Sequence, residues 1–348
     1  MISTLTADGW PSKTDMSEQP VPRNVQLPHG GEAEIRKPQL TVEAGLYAAI
    51  LAIGLVLRLY RLGLAPLSAS EAQLALAGWR GTMPTDIASP LLGWMNALLF
   101  AVFGSSDGLA RLIPALAGAA LVATPALWRE RIGRVGALGA AAILAISPVA
   151  IATSRTSSGE AIVAALVVGL AAMADRYLQT GRTAWLYAGA AILGVGLASG
   201  AGIYSGLLAV LVGAGLAVAF GPPDEARARW RAVRETRVPG WRVLGVLVGV
   251  FAASATALMW RPGGLAAAID FIPTWLAGPA QTGATAWYWP LQIMAICEPL
   301  TLVIGLVGLT LALGRNSRFA GFLVTWLLVA MLLAVARPAR TSGTCCSP

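Results

Sequence analysis

Leu91 to Phe103 reads LLGWMNALLFAVF, and whether this run crosses a bilayer or lies along it sets the sidedness of every loop that follows. Gly93 and Asn96 interrupt it, and Trp94 stands near its start. A run of about 10 to 14 apolar residues is shorter than the ~20 that span the hydrocarbon core, and helices of that length commonly lie in the interface. The run is therefore read as a juxtamembrane helix.

Outward from it, apolar runs occupy about 40–59, 109–128, 135–152, 161–178, 184–199, 202–220, 243–260, 289–313 and 319–336. The chain of 348 residues is 56% hydrophobic and only 12% charged, with a mean hydropathy of +0.68. These values exclude an ordinary soluble domain and predict an all-α fold, a polytopic transmembrane helical bundle of about nine spans. Residues 1–39, rich in Pro, Ser, Thr, Glu and Gly, read as a disordered cytoplasmic tail. Residues 40–337 form the transmembrane domain, with 62–108 as its first extracytoplasmic loop. Residues 338–348 form a short tail, and its abrupt Cys345-Cys346 ending is read as a truncation or frame shift.

Charge supports the flat Trp94 helix. With the N-terminus cytoplasmic, 17 of the 25 basic residues fall on the cytoplasmic side, including the six arginines from Arg227 to Arg242. If Leu91–Phe103 spanned, that connector would lie outside, against the positive-inside rule. The same distribution explains the net charge of +8 as plasma-membrane topology. No basic patch interleaved with aromatics is present, which argues against nucleic acid as a partner. Cys297, Cys345 and Cys346 lack metal-site spacing, and the lone His29 argues against histidine-based chemistry.

The outer segments then hold Glu71, Asp86, Asp107, Glu160 and Asp270 with Arg80, Arg155 and Arg261. Opposed acids and arginines at one membrane face are what a site opening outward needs. Arg58 and Arg61 end the first span, where long basic side chains can snorkel to the interface. The glycines Gly194, Gly196, Gly200, Gly202, Gly206, Gly213 and Gly215 allow later helices to approach closely. Pro114, Pro125, Pro148 and Pro299 are expected to kink theirs.

Five stretches in order, LRLYRL, SASEAQLALAG, SPLLGWMNALLFAVFGSSDGLARLIPALAGAAL, WRERIGRVGALGAAAILAISPVAIATSR and TSSGEAI, carry a resemblance. Over roughly residues 45–180 the chain resembles the GT-C superfamily of membrane glycosyltransferases, which includes protein O-mannosyltransferases, aminoarabinose transferases and a flippase-activity-associated family. The resemblance implies transfer of a sugar, with inversion, from a polyprenyl-phosphate carrier to an extracytoplasmic lipid, glycan or protein acceptor. In that superfamily the first outer loop carries an Asp-Glu pair whose Asp commonly acts as base. Here the pair reads Ser70-Glu71, so only Glu71 matches. An Arg followed by an acid in the second outer loop is matched by Arg155 and Glu160.

On this reading Glu71 is the general base, Arg155 stabilises the leaving phosphate, and Glu160 orients Arg155 or the acceptor. Arg58, Arg61, Arg80, Asp86 and Arg261 form the substrate-binding set. If a metal is used, Glu71 and Glu160 would share Mg or Mn, since two carboxylates without histidine suit a hard cation. The rival reading, resting on Ser70, is a catalytically degenerate accessory or scaffold subunit of a glycan export or flippase system. A transporter ranks last, because Glu298-Pro299 is its single hint and no internal repeat matches it.

Overall fold

The computed structural model describes residues 42–81, 89–219, 240–260, 262–277, 288–314 and 318–336. Asp86, Arg261, both tails and most of the six-arginine connector lie outside these. Among the described residues the chain is helical, with no strand. The helices are α1 (Val42–Leu59), α2 (Ala69–Arg80), α3 (Pro90–Phe103), α4 (Asp107–Ala110), α5 (Leu112–Ala123), α6 (Arg129–Ile146), α7 (Pro148–Ser154), α8 (Glu160–Thr180), α9 (Thr183–Leu197) and α10 (Gly202–Ala219). Beyond the connector follow α11 (Gly240–Ala255), α12 (Gly263–Ile269), α13 (Phe271–Ala277), α14 (Trp289–Cys297), α15 (Pro299–Gly314) and α16 (Arg318–Ala336).

Each expected apolar run has its helix. Val42–Leu59, Leu112–Ile146 and Glu160–Thr180 are long and apolar enough to cross a bilayer, and a pair bent by 100° at Glu298 would add a fourth span if counted as one. The remaining apolar helices are shorter. Leu112–Ile146 contains two of the expected runs. It reverses through a 3-10 turn at Thr124–Trp128 and through Gly133, whose φ of +77° and ψ of 166° suit only glycine. Both arms then pack on α1, where Val122, Ala141 and Ala145 form a buried cluster with Tyr47, Ile50 and Leu51.

This hairpin sorts the charges into two layers. At one end, Arg129 donates to Glu43 at 2.6 Å, Arg134 lies 3.6 Å from Glu43, Arg131 pairs with Asp175 at 2.8 Å and Arg176 with Glu130 at 3.1 Å. At the other end stand Arg58, Glu71, Arg111, Arg155 and Glu298. The 18-residue α1 links the two layers over about 27 Å, close to the ~30 Å hydrocarbon thickness.

α3 lies across the Glu71 end. Near its start, the Leu91 N–H donates to the Ala198 carbonyl after α9, and Trp94 Nε1 donates at 2.6 Å to the Ser254 carbonyl of α11. Near its finish, Phe100 packs with Ala110 of α4 and Ala75 of α2. Both ends of α3 thus meet the same end of the bundle.

Of the four prolines, Pro148 and Pro299 begin new helices at real breaks, Pro125 falls in the 3-10 turn, and Pro114 sits in the first turn of α5, where it interrupts nothing. At Pro148 the missing N–H leaves the Leu144 carbonyl without its helical donor. Arg58 supplies one, donating from Nη2 to Leu144 at 2.9 Å and from Nη1 to Ala145 at 3.2 Å and to Gly54 at 3.0 Å. On the other side of the break, the Val149 N–H donates to Glu298 Oε1 at 3.0 Å, and Ser147 and Thr301 also donate to that carboxylate. The carboxylate at the second break thus completes the hydrogen bonding of the first, 149 positions away.

Small residues close the later interfaces. A Cβ on Gly206 of α10 would lie 2.4 Å from Val167 of α8, and one on Gly194 of α9 would lie 2.8 Å from the Leu247 carbonyl of α11.

Candidate active site

Ser68 caps α2 in a capping box: its Oγ accepts from the Glu71 N–H, and its own N–H donates to Glu71 Oε2 at 2.9 Å. This geometry turns the Glu71 carboxylate back toward the body of the protein, where Arg111 meets it with two parallel bonds. Arg111 Nε donates to Oε1 and Nη2 to Oε2, each at 2.9 Å. The Ser157 N–H donates to Oε1 at 2.6 Å. Arg111 also donates to the Leu62, Ala65 and Pro66 carbonyls. One buried ion pair thus ties the 62–66 segment, α2, the head of α5 and the α7–α8 loop together.

Burial alone would raise the Glu71 pKa. The hydrogen bonds from Arg111, and from the backbone N–H groups of Ser157 and Ser68, outweigh it and hold the carboxyl at about 2. A base must sit near the operating pH and within reach of its proton, and Glu71 is only 6% exposed. The expectation that Glu71 acts as base therefore gives way to a structural role. Each of its oxygens already accepts two bonds, so it does not fit a Mg or Mn shared with Glu160.

Position 70 is the exposed member of the pair, with Ser70 Oγ 3.3 Å from Ser68 Oγ. Arg155 is half-buried. Its Nη1 donates to the Leu57, Arg58 and Tyr60 carbonyls and its Nη2 to Arg61, so it caps the end of α1. Arg58, expected to bind substrate, is 0% exposed and serves the Pro148 break instead. Arg61 is exposed, at φ +50°, with its guanidinium 5.4 Å from the Tyr60 ring, and Arg80 is exposed at the end of α2. Arg111, Ser157 and Glu298 were not among the expected site residues. The one signal for Arg111 was a lone arginine at the head of the apolar run in LARLIPAL.

The α7–α8 loop is set by glycine and by close packing. A Cβ on Gly159 would lie 2.1 Å from the Ser199 carbonyl, and one on Gly118 of α5 would lie 2.4 Å from the Ser154 Cβ. From this loop Glu160 projects as an exposed carboxylate at the first position of α8. It stands at the mouth of a groove of about 940 Å³ between α8, α10 and α16. The walls are apolar, with Val163 and Val167 on one side and Trp326 and Leu333 on the other, and the mouth carries Ser158, Glu160 and Ser205. Lining residues run from 160 to 168 on α8 and from 323 to 334 on α16. At 1.5 Å per residue these stretches measure about 12 to 16 Å, the depth of one leaflet.

Fold and site together define a polytopic helical membrane protein with ionisable groups in two layers, one of them beside a leaflet-deep groove. The family model described as dolichyl-phosphate-mannose-protein mannosyltransferase matches residues 87–260, half of the chain. The chain belongs to that family, and with it to the GT-C type of membrane glycosyltransferase. The matched stretch takes in Arg111, Arg155, Ser157 and Glu160, while Glu71 and Glu298 fall outside it. Comparison with curated proteins and with solved structures gives no match.

Proposed function

We propose that the protein transfers a sugar, with inversion, from a polyprenyl-phosphate-linked donor to an extracytoplasmic acceptor. The Glu71 end faces outward from the plasma membrane and the N-terminus is cytoplasmic. The observation that carries this reading is the α7–α8 loop, which joins Arg155, Ser157 and Glu160 to the Glu71–Arg111 junction and ends at an exposed carboxylate on a lipid-deep groove.

Glu160 takes the role of general base. The acceptor hydroxyl gives its proton to the Glu160 carboxylate, its oxygen bonds to the anomeric carbon, and the bond from that carbon to the phosphate oxygen breaks with its electron pair leaving on the phosphate. Arg155 bonds to α1 through its two terminal nitrogens, which leaves Nε–H for the developing charge, and the exposed Arg61 adds a second cation. Glu71 and Arg111 hold the loop that carries Glu160.

The test is transfer from a labelled polyprenyl-phosphate sugar in membranes containing the full chain. Glu160→Gln is expected to lower the rate by about 100- to 10,000-fold, the usual worth of a general base. Full activity in that variant would remove Glu160 from the chemistry. A second reading, a non-catalytic accessory subunit, is favoured by Ser70 at the exposed position of the acidic pair, and it predicts no transfer by the wild-type chain under any donor.

A further inference from the structure

The chain leaves α11 through a turn that L side chains disfavour. Ala257, Leu258 and Met259 follow one another in the left-handed region, at φ of +52°, +58° and +73°, and none is glycine. Hydrogen bonds hold the turn: the Leu258 N–H donates to the Ala253 carbonyl at 2.8 Å and the Met259 N–H to Thr256 Oγ1 at 2.9 Å. The result is an apolar tip, with Leu258 and Met259 each 77% exposed and Trp260 87% exposed. Beyond it, helical bonding runs on from α12 into α13, since the Asp270 N–H donates to the Ala266 carbonyl and the Thr274 N–H to that of Asp270. At about 100° per residue, this stretch divides into three sectors about 120° apart. Ala267, Ala268 and Phe271 are buried in one cluster with Leu91 and Leu92 of α3. Ala266, Asp270 and Thr274 are exposed on the second sector. Leu265, Ile269, Ile272 and Leu276 form the third, an exposed apolar stripe.

We propose that the stripe and the Leu258–Trp260 tip form an anchor seated in the headgroup and acyl boundary of the leaflet on the Glu71 side. Three observations name lipid as the occupant. α11 has 16 residues and measures about 24 Å, against a hydrocarbon core of ~30 Å, and the exposed Arg242 near its start keeps that end at the opposite surface. Ala255 therefore stops short of the far edge of the apolar layer, tilt only deepens it, and the tip begins within lipid. Trp94 of the flat α3 donates to the Ser254 carbonyl one residue before α11 ends, so α3 and the start of α12 share a level. The stripe, finally, lies between a sector packed on protein and a sector carrying the Asp270 carboxylate, as suits a boundary where lipid and water meet, and Trp260 is the side chain that favours such a boundary. The anchor reaches the groove as well. Trp275 of α13 donates from Nε1 to Ser205 Oγ at 2.9 Å, so the lipid surface fixes the level of the groove mouth where Glu160 stands.

The experiment uses the full chain, its native cysteines replaced, in phosphatidylcholine liposomes. Single nitroxide-labelled cysteines are placed at exposed positions only: Met259, Trp260, Leu265, Ile269, Ile272 and Leu276 for the anchor, and Ala266, Asp270 and Thr274 for the water-facing sector. Collision of each label with oxygen and with a water-soluble nickel complex, present on both sides of the membrane, is read from its electron paramagnetic resonance spectrum. Anchor labels are expected to meet oxygen in preference to nickel, at a depth of about 5–10 Å into the boundary. Labels at 266, 270 and 274 are expected to meet nickel several-fold more often than the anchor labels do. Nickel reaching the stripe as freely as it reaches Asp270 would overturn the proposal, because the stripe would then face water. Exclusion of both reagents from the stripe would overturn it too, because a second copy of the chain or another protein would then cover it. No sugar transfer is measured, so the outcome stands apart from the reaction proposed above.

Discussion

Glu71 accepts hydrogen bonds from Ser68, Ser157 and twice from Arg111, all within an environment closed to solvent. Replacing it by glutamine leaves the Arg111 charge buried without a counter-ion, a change that typically costs about 3–5 kcal/mol. Thermal unfolding of Glu71→Gln in mild detergent should show that loss, with Arg111→Ala no worse when added to it. The pH dependence has a definite sign. The folded carboxyl, at about 2, lies below its ordinary 4.5, so the pair's contribution is complete above pH ~4.5 and disappears as pH falls toward 2. Melting temperature followed from pH 6 to pH 3 should decline in the wild type and stay flatter in Glu71→Gln. Ser70 carries the complementary prediction. If Glu160 is the base, Ser70→Asp should change transfer by less than about threefold, whereas a dormant site awaiting its missing acid should gain the ~100-fold or more that such a group supplies. A capping box is legible in principle here, because SASE is a local pattern whose partners lie three residues apart, though the sequence reading takes from it only the acid at Glu71. The Arg111 pairing was not, because an arginine 40 residues away leaves no periodic trace.

Helix breaks show the same division at the next scale. Pro148 and the Glu298-Pro299 pair stand out in the sequence as interruptions of apolar runs. What the interruptions do was hidden, since the contact between Glu298 and Val149 spans 149 positions. Glu298, read from sequence as a faint transporter signal, is a clamp that docks the α14–α15 break onto the α6–α7 break. Glu298→Leu should therefore loosen α14 to α16 more than α1 to α5. Hydrogen–deuterium exchange should rise several-fold over residues 288–336 while Val42–Leu59 stays protected. Uniform exchange across both regions would remove the clamp. The glycine contacts were foreseeable in kind, as small residues on apolar helices, but which helix meets which depends on the folded bundle. Gly215, counted among them, has nothing near it.

For the whole molecule, the apolar runs and their order were readable because each helix must bury or expose a full turn of apolar surface, and that requirement writes a continuous pattern into the chain. The groove was not readable. It is formed by α8, α10 and α16, and no single segment carries its outline. Sidedness follows from where the two charge layers face. Cysteines placed at Ser70 and at Arg242, in a chain whose native cysteines are replaced, should react with impermeant maleimide from opposite sides of the membrane, Ser70 from outside. Reaction of Arg242→Cys from outside intact cells would invert the topology and with it the proposed reaction face.

Arg58 has a consequence for how the chain is made. Its carbonyl partners, Leu144 and Ala145, are synthesised 86 and 87 residues after it. An arginine facing lipid alone is opposed by up to about 2.5–3.5 kcal/mol during insertion. α1 therefore reaches its final depth only when the α5–α6 hairpin arrives beside it, and until then its trailing end stays at the water's edge or within the translocation channel. The order of translation and the order of assembly are in this way offset by a full helical hairpin.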